Sequence, residues 1–381
     1  MGDLAARVEA LLAGDDAERA HLYPNPPPGR QPVHTVYVPA DRFTATTVRE
    51  WGTAAVDALD HDGPLPGFDE LDQAPVRAKL ATEPIEDLRV DFEDGYGLRE
   101  DDVEDRDARA AALALSATPT AFSGIRIKSL EAPTRRRALR TLEIFAETPP
   151  PEGFRVTLPK VTSVRQVEAM VAVCDELDLR FEIQIETPQA ILGPDGTALV
   201  ARMLHAAAGR CAGLHFGTYD YTAALGISAA YQSLEHPAAD HAKAVMQVAA
   251  AGTGVPVCDG STNVLPVGDT ADVHAAWALH ARLVRRSLER GFYQGWDLHP
   301  AQLPTRFAAT YAFFRDGLPA AAARLRAYLE RASTGIADEP ATARALAGHL
   351  IRGIDCGALT ADEVHAASGL DAAGLRAVSS S

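Results

Sequence analysis

Phe181-Glu182-Ile183-Gln184-Ile185-Glu186 alternates apolar and polar residues up to the turn at Thr187-Pro188. A period of two marks a β-strand with one apolar and one polar face. Three other stretches share the pattern. They are Arg89-Val90-Asp91-Phe92-Glu93 running into Asp94-Gly95, Ile125-Arg126-Ile127-Lys128, and His215-Phe216-Gly217 running into Thr218-Tyr219-Asp220. If helices cover the apolar faces, charges of both signs turn the other way. In a closed barrel that direction is the lumen, where every charge needs a partner.

Working outward, strand-like runs lie near 33–38, 88–93, 124–128, 154–158, 181–185, 212–216, 254–258 and 293–298, with helical patterns between them such as Arg165 to Leu177 and Ala271 to Arg290. Strands alternating with helices in this way predict a (β/α)8 TIM barrel, with a doubly wound open sheet as the other arrangement. The first crossover, 41–87, is long and carries a Pro/Gly/Asp-rich insertion near 61–75. Residues 3–13 read as a short helix, and the prolines between Pro24 and Pro32 as a linker. The expected organisation is an N-terminal helix and linker (1–32), a catalytic barrel (33–317) and a helical C-terminal extension (318–381). In that extension, Leu359 to Leu375 reads as two short helices with Thr360 as an N-cap.

The chain has 381 residues, 47% of them hydrophobic, which supplies a sizeable core. A net charge of −16 argues against a nucleic-acid or anionic-membrane partner. Cys174, Cys211, Cys258 and Cys356 are far apart and form no CxxC pair, which suits a reducing compartment. With no signal-type apolar run and no long apolar stretch, a cytoplasmic protein is expected.

Barrel enzymes work at the C-terminal ends of their strands. Glu186 and Asp220 both follow apolar strands and lie 34 residues apart, one β/α unit. Two carboxylates with open water positions suit Mg²⁺ or Mn²⁺. Such an ion would hold a keto acid, or an acid carrying a thioester, and stabilise charge on the carbon beside the carbonyl. Arg126 offers a fixed cation for the same oxyanion. Gly217, Thr218 and Thr187-Pro188-Gln189 are candidates to present backbone N–H groups to a substrate carboxylate. Lys160 and Lys128 at strand ends are candidates for a metal-free Schiff-base aldolase. His215 and His299 are candidate bases, and Asp259 and Asn263 candidate residues of the mouth. A barrel that binds without catalysing is the reading from a different class.

In order and spacing, seven segments resemble the HpcH/HpaI aldolase and citrate lyase β-subunit superfamily, related to malate synthase. They are Tyr37-Val38-Pro39-Ala40-Asp41-Arg42, Asp91-Phe92-Glu93-Asp94, Arg126-Ile127, Leu158-Pro159-Lys160, Ile185-Glu186-Thr187, Phe216-Gly217-Thr218-Tyr219-Asp220 and Leu298-His299-Pro300-Ala301-Gln302. The resemblance spans about 33–305. It implies a (β/α)8 barrel, a Mg²⁺-dependent carbon–carbon lyase or aldolase working through an enolate of a keto acid or acyl-CoA, and a homo-oligomer, trimer or hexamer. It implies metal ligands at Glu186 and Asp220, an oxyanion-stabilising Arg126, and Glu93 and Asp94 beside the metal's waters. Tyr219 and Tyr221, the Gly95-Tyr96-Gly97 continuation and the long first crossover depart from the family pattern.

Overall fold

Eight parallel strands close around a lumen in the computed structural model, which describes residues 2–25, 29–118, 120–330 and 339–380. They are β1 (His34–Pro39), β2 (Asp87–Asp91), β3 (Phe122–Arg126), β4 (Arg155–Leu158), β5 (Arg180–Ile185), β6 (Cys211–Phe216), β7 (Val257–Cys258) and β8 (Gly295–Asp297). Ladders run β7-β6-β5-β4-β3-β2-β1-β8, and β1 and β8 pair at His34 and Gly295. The ring closes between β7 and β8 through Asp259 N to Gln294 O (2.8 Å) and Trp296 N to Gly260 O (3.1 Å). This is the (β/α)8 barrel with a helical C-terminal part that the alternation predicts.

β7 is shorter than the stretch 254–258. Gly254 has a left-handed backbone (φ +79°) and Pro256 lacks an N–H, so the ladder starts at Val257. The N-terminal helix runs from Gly2 to Leu22, well past residue 13, because a single Gly14 costs only about 1 kcal/mol relative to Ala and does not stop a helix. The linker reading of 24–32 falls partly on 26–28, outside the described residues. The long crossover holds helices Thr47–Asp62 and Ala74–Thr82, with 63–73 looping between them.

Parallel strands buried on both faces are normally apolar throughout. Here Val36, Leu88, Val90, Ile125, Val156, Ile183 and Leu214 pack outward in the core, while the lumen is filled with paired polar groups. Arg89, fully buried, donates to Glu182 (Nη2–Oε1 2.7 Å, Nε–Oε2 3.2 Å) and pairs with Asp87. Glu182 also accepts from Thr157 Oγ1 at 3.2 Å and lies 3.3 Å from His215 Nε2. Trp296 Nε1–H can only donate, so His215 Nδ1 accepts it (3.3 Å) and Nε2 is left to donate to Glu182. His215 therefore braces the middle of the lumen rather than standing free as a base.

Outside the lumen, Asp297 of β8 anchors the long helix Leu303–Leu329. It takes Arg306 through Nη2 (2.9 Å) and Nε (3.0 Å), His34 Nδ1 (2.6 Å) and His280 Nε2 (3.1 Å). That helix runs across residue 317 without a break and packs on helices Thr270–Glu289 and Pro340–Asp355. The last two helices are Ala361–Ser368 and Ala372–Ser379. Thr360 caps the first: its Oγ1 accepts from Glu363 N, and Thr360 N donates back to Glu363 Oε2. Among the described residues no helix is long and apolar enough to cross a membrane.

Candidate active site

Arg126 ends β3 with its side chain in the lumen, buried beneath the mouth. Its fork closes on Asp91, Nε to Oδ1 and Nη2 to Oδ2, both at 2.7 Å. The guanidinium lies over the Tyr37 ring at 4.7 Å. Nη1 is left toward Gln184 Oε1 (3.4 Å) and Glu93 (3.5 Å). Asp91 also accepts from the N–H groups of Glu93 and Gly95, each at 2.9 Å, and so shapes the turn that presents Glu93 and Asp94. Gly95 permits this turn, since a Cβ there would meet Asp91 Oδ2 at 2.7 Å.

Glu186 follows β5, and its parity with Glu182 and Gln184 turns it inward. It is 1% exposed, accepts from Gln184 Nε2 (2.5 Å) and from Lys160 N (2.8 Å), and lies against Gly217. A Cβ on Gly217 would meet Glu186 Cβ and Oε2 at 2.6 Å, so the turn after β6 must be glycine for the two strand ends to approach. Asp220 stands in the first turn of the helix Thr218–Ala224, about half exposed at the rim.

Lys160 joins these acids. Its Nζ lies 2.8 Å from Asp220 Oδ2, 2.9 Å from Asp94 Oδ2, 3.5 Å from Glu93 Oε1 and 3.7 Å from Glu186 Oε2. Four carboxylates from three loops thus converge on one cationic atom. Burial would lower the Lys160 pKa, but Glu186, Glu93, Asp220 and Asp94 outweigh it and raise it. Burial pushes Glu93 up to about 8 and Glu186 up to about 7, with Arg126 and Lys160 opposing. Asp94 ends below the ordinary range because hydrogen bonds from Lys160 and the Glu93 side overcome its burial.

The donor set fits a hard divalent ion. All the groups are carboxylate oxygens, and a position among them already holds a positive charge. As placed, the described residues bring no three of His, Cys, Asp or Glu into one coordination shell. Mg²⁺ commonly takes one or two carboxylates and keeps its waters, which Glu186 and Asp220 can supply and leave room for.

Most of the other candidates are held by partners of their own. Lys128 lies beyond the end of β3, where strand parity no longer governs it. It donates to Phe92 O and to the buried Glu104 of helix Asp101–Ser116, both at 2.7 Å, instead of entering the lumen. Thr187 Oγ1 donates to Val161 O (2.5 Å) and caps the helix Pro188–Ile191, so it pins two loops together. Thr218 Oγ1 is buried against Gly260 without a partner among the described residues, and Gly217 N is held by Ile185 O. His299 caps the turn Pro300–Gln302. Asp259 is buried on Lys243 and Ser287, while Asn263 N donates to Tyr219 OH (2.6 Å), tying the loop after β7 to the Asp220 helix. Sequence reasoning missed Asp91 and Gln184 as members of the site, although both share the lumen parity of residues it did select. A cavity of about 880 Å³ on the flank, lined by Phe68, Arg282, Arg285 and Arg315, shares no residue with this mouth.

No curated protein matches the sequence. Among solved structures, a citrate lyase from Burkholderia xenovorans LB400 has a TM-score of 0.61 at 19% identity, covering 88% of this chain and 96% of that one. Protein CitE from Mycobacterium tuberculosis, in complex with magnesium, acetoacetate and coenzyme A, has a TM-score of 0.52 at 21% identity, covering 86% and 99%. The same protein with magnesium and pyruvate has 0.50 at 20%, covering 85% and 99%. At these identities the likeness shows a common barrel. Matching that family's sequence model over residues 12–381, the chain belongs to the family described as domain of unknown function (DUF6986), and its fold is the barrel of the citrate lyase structures.

Proposed function

We propose that this chain is a Mg²⁺- or Mn²⁺-dependent carbon–carbon lyase or aldolase of citrate lyase β-subunit type, acting on a keto acid or an acyl-CoA. The observation that carries the reading is the convergence of Glu186, Asp220, Glu93 and Asp94 on one cation position above the Arg126–Asp91 pair. The order of the seven motifs supports it. So do the magnesium, acetoacetate, pyruvate and coenzyme A bound by the structures of like fold.

Glu186 and Asp220 would hold the metal, which supplies positive charge to a substrate carbonyl and carboxylate. Arg126, fixed by Asp91, keeps Nη1 beneath the same point, where it stabilises the oxyanion of an enolate without reorganising. Asp94 at the rim and Glu93 deeper in the mouth would orient the metal's waters. Gly217, beside Glu186, and Thr218 would border a bound substrate carboxylate. The Lys160 ammonium, shared among acids, is a poor Schiff-base nucleophile, so the metal route is the better supported. The assembly that accompanies this reading is a homo-oligomer, a trimer or hexamer, measurable by sedimentation.

The test is deuterium exchange into the methyl group of pyruvate, followed by proton NMR with Mg²⁺ and again with excess EDTA. Metal-dependent exchange is expected. Exchange that survives EDTA would favour the amine route. No exchange with pyruvate, and no metal-dependent turnover of an acyl-CoA, would leave a binding barrel.

A further inference from the structure

Lys160 is bound to this cluster more closely than an ion pair requires. Its main-chain N–H donates to Glu186 Oε1 at 2.8 Å while its ammonium faces the other oxygen of the same carboxylate at 3.7 Å. The residue sits in the left-handed region at φ +53°, which is uncommon for a side chain of this size and typical of positions over-determined by their surroundings. That backbone turn aims the stem into the mouth, where Asp94 and Asp220 hold Nζ from the rim and Glu93 and Glu186 from within.

We infer that the Lys160 ammonium is a resident counter-cation, and that it and a divalent ion exclude one another from this acid cluster. The inference rests on the metal reading given above and adds a competitor built into the chain. An ion bound to Glu186 and Asp220 lies about 2 Å from their oxygens. Those oxygens are 3.7 and 2.8 Å from Nζ, so ion and ammonium would be close neighbours of like charge. Lysine can yield, because its charge rides on a flexible four-carbon stem. Asp94, whose side chain is 54% exposed, can keep the ammonium as it swings outward. Lys160 thereby neutralises the acids before metal arrives and sets the concentration at which metal enters.

Mn²⁺ binding to the wild type, Lys160→Met and Glu186→Gln, followed by electron paramagnetic resonance, tests this. Mutual exclusion is a coupling between two occupants, so Lys160→Met is expected to bind Mn²⁺ tighter by roughly 5- to 150-fold. Its melting temperature in EDTA is expected to fall below wild type and to recover with Mn²⁺. A second measurement needs no variant: acylation of Lys160 in the wild-type protein by an amine-reactive ester, read by peptide mass spectrometry, is expected to quicken when Mn²⁺ is added. Equal or weaker Mn²⁺ binding by Lys160→Met, or acylation that slows or stays unchanged with metal, overturns the inference while the metal site stands. If the wild type and Lys160→Met both bind no Mn²⁺, the metal reading itself fails and this inference with it.

Discussion

Arg126 and Asp91 face each other fork to fork, with both bonds at 2.7 Å and both side chains nearly out of solvent. Two of the guanidinium nitrogens are therefore committed, and only Nη1 points toward chemistry. A lysine keeps the charge but loses the planar fork. Arg126→Lys is expected to lower kcat by roughly 10²- to 10³-fold with little change in melting temperature. Arg126→Met leaves Asp91 buried and unpaired and is expected to destabilise by about 3–5 kcal/mol. Near-normal turnover of Arg126→Lys would remove this residue from the reaction.

Gly217 offers a test of the metal ligand without touching its chemistry. An added methyl would stand 2.6 Å from Glu186 Cβ and Oε2, so Glu186 must move. Gly217→Ala is expected to fold, by circular dichroism, yet to bind Mn²⁺ weakly. Glu186→Gln and Asp220→Asn are expected to fold and to lose activity. Wild-type affinity in Gly217→Ala would place the ligand elsewhere.

Gln184 bridges the two halves of the site, donating to Glu186 Oε2 at 2.5 Å and accepting from Arg126 at 3.4 Å. Groups that orient a metal ligand are typically worth roughly 10- to 100-fold in affinity or activity. Gln184→Leu is expected to lose that much Mn²⁺ affinity in a calorimetric titration. A variant indistinguishable from wild type would show that Glu186 needs no such support.

The acids of the mouth set a pH dependence whose sign can be worked out. Glu186 and Glu93 have an ordinary value of 4.5, and burial raises them to about 7 and about 8 in the fold. Between those limits the unfolded chain has released protons that the folded chain keeps. Stability is then fully present below about 4.5, falls as pH rises, and levels off above about 8. A metal reverses the trend, because it binds the ionised carboxylates. Thermal melts are expected to show greater stabilisation by Mg²⁺ at the alkaline end of this window than at the acid end. Equal stabilisation at both ends would mean that these acids do not meet the ion.

Lys160 also permits a direct check on the amine route. An ammonium shared among four acids keeps its proton, and a protonated amine does not attack a carbonyl. Borohydride added with pyruvate is expected to leave the mass of the chain unchanged. A reduced adduct on Lys160 would reinstate the Schiff base.

Much of this was legible in the sequence because the lumen is polar. Alternation in Phe181 to Glu186 marks the strand, its face and its end together, and the same signal places Arg89, Asp91 and Arg126. It failed at Lys128, where the strand had already ended and Glu104 on a neighbouring helix captured the charge. It offered Lys160 only as a Schiff-base candidate and did not show its contacts with four acids. Those contacts depend on a left-handed backbone at a lysine and on loops from β2, β4 and β6 meeting at one point, and neither leaves a periodic trace in the chain. His215 reads as a candidate base in the sequence because its partners, Glu182 and Trp296, come from distant strands.

Glu182 gathers Arg89 from β2, Thr157 from β4 and His215 from β6 on one carboxylate. Such a hub constrains how relatives of this protein can diverge. Replacing Arg89 takes the nearest counter-charge from Glu182 in the dark interior, and replacing Thr157 or His215 takes a hydrogen-bond donor from it, so these positions are expected to change together or not at all. The half-exposed Asp94 and Asp220 carry no such debt to the interior. Innovation in what the protein accepts therefore belongs to its rim, one residue at a time, while the hub is handed down whole.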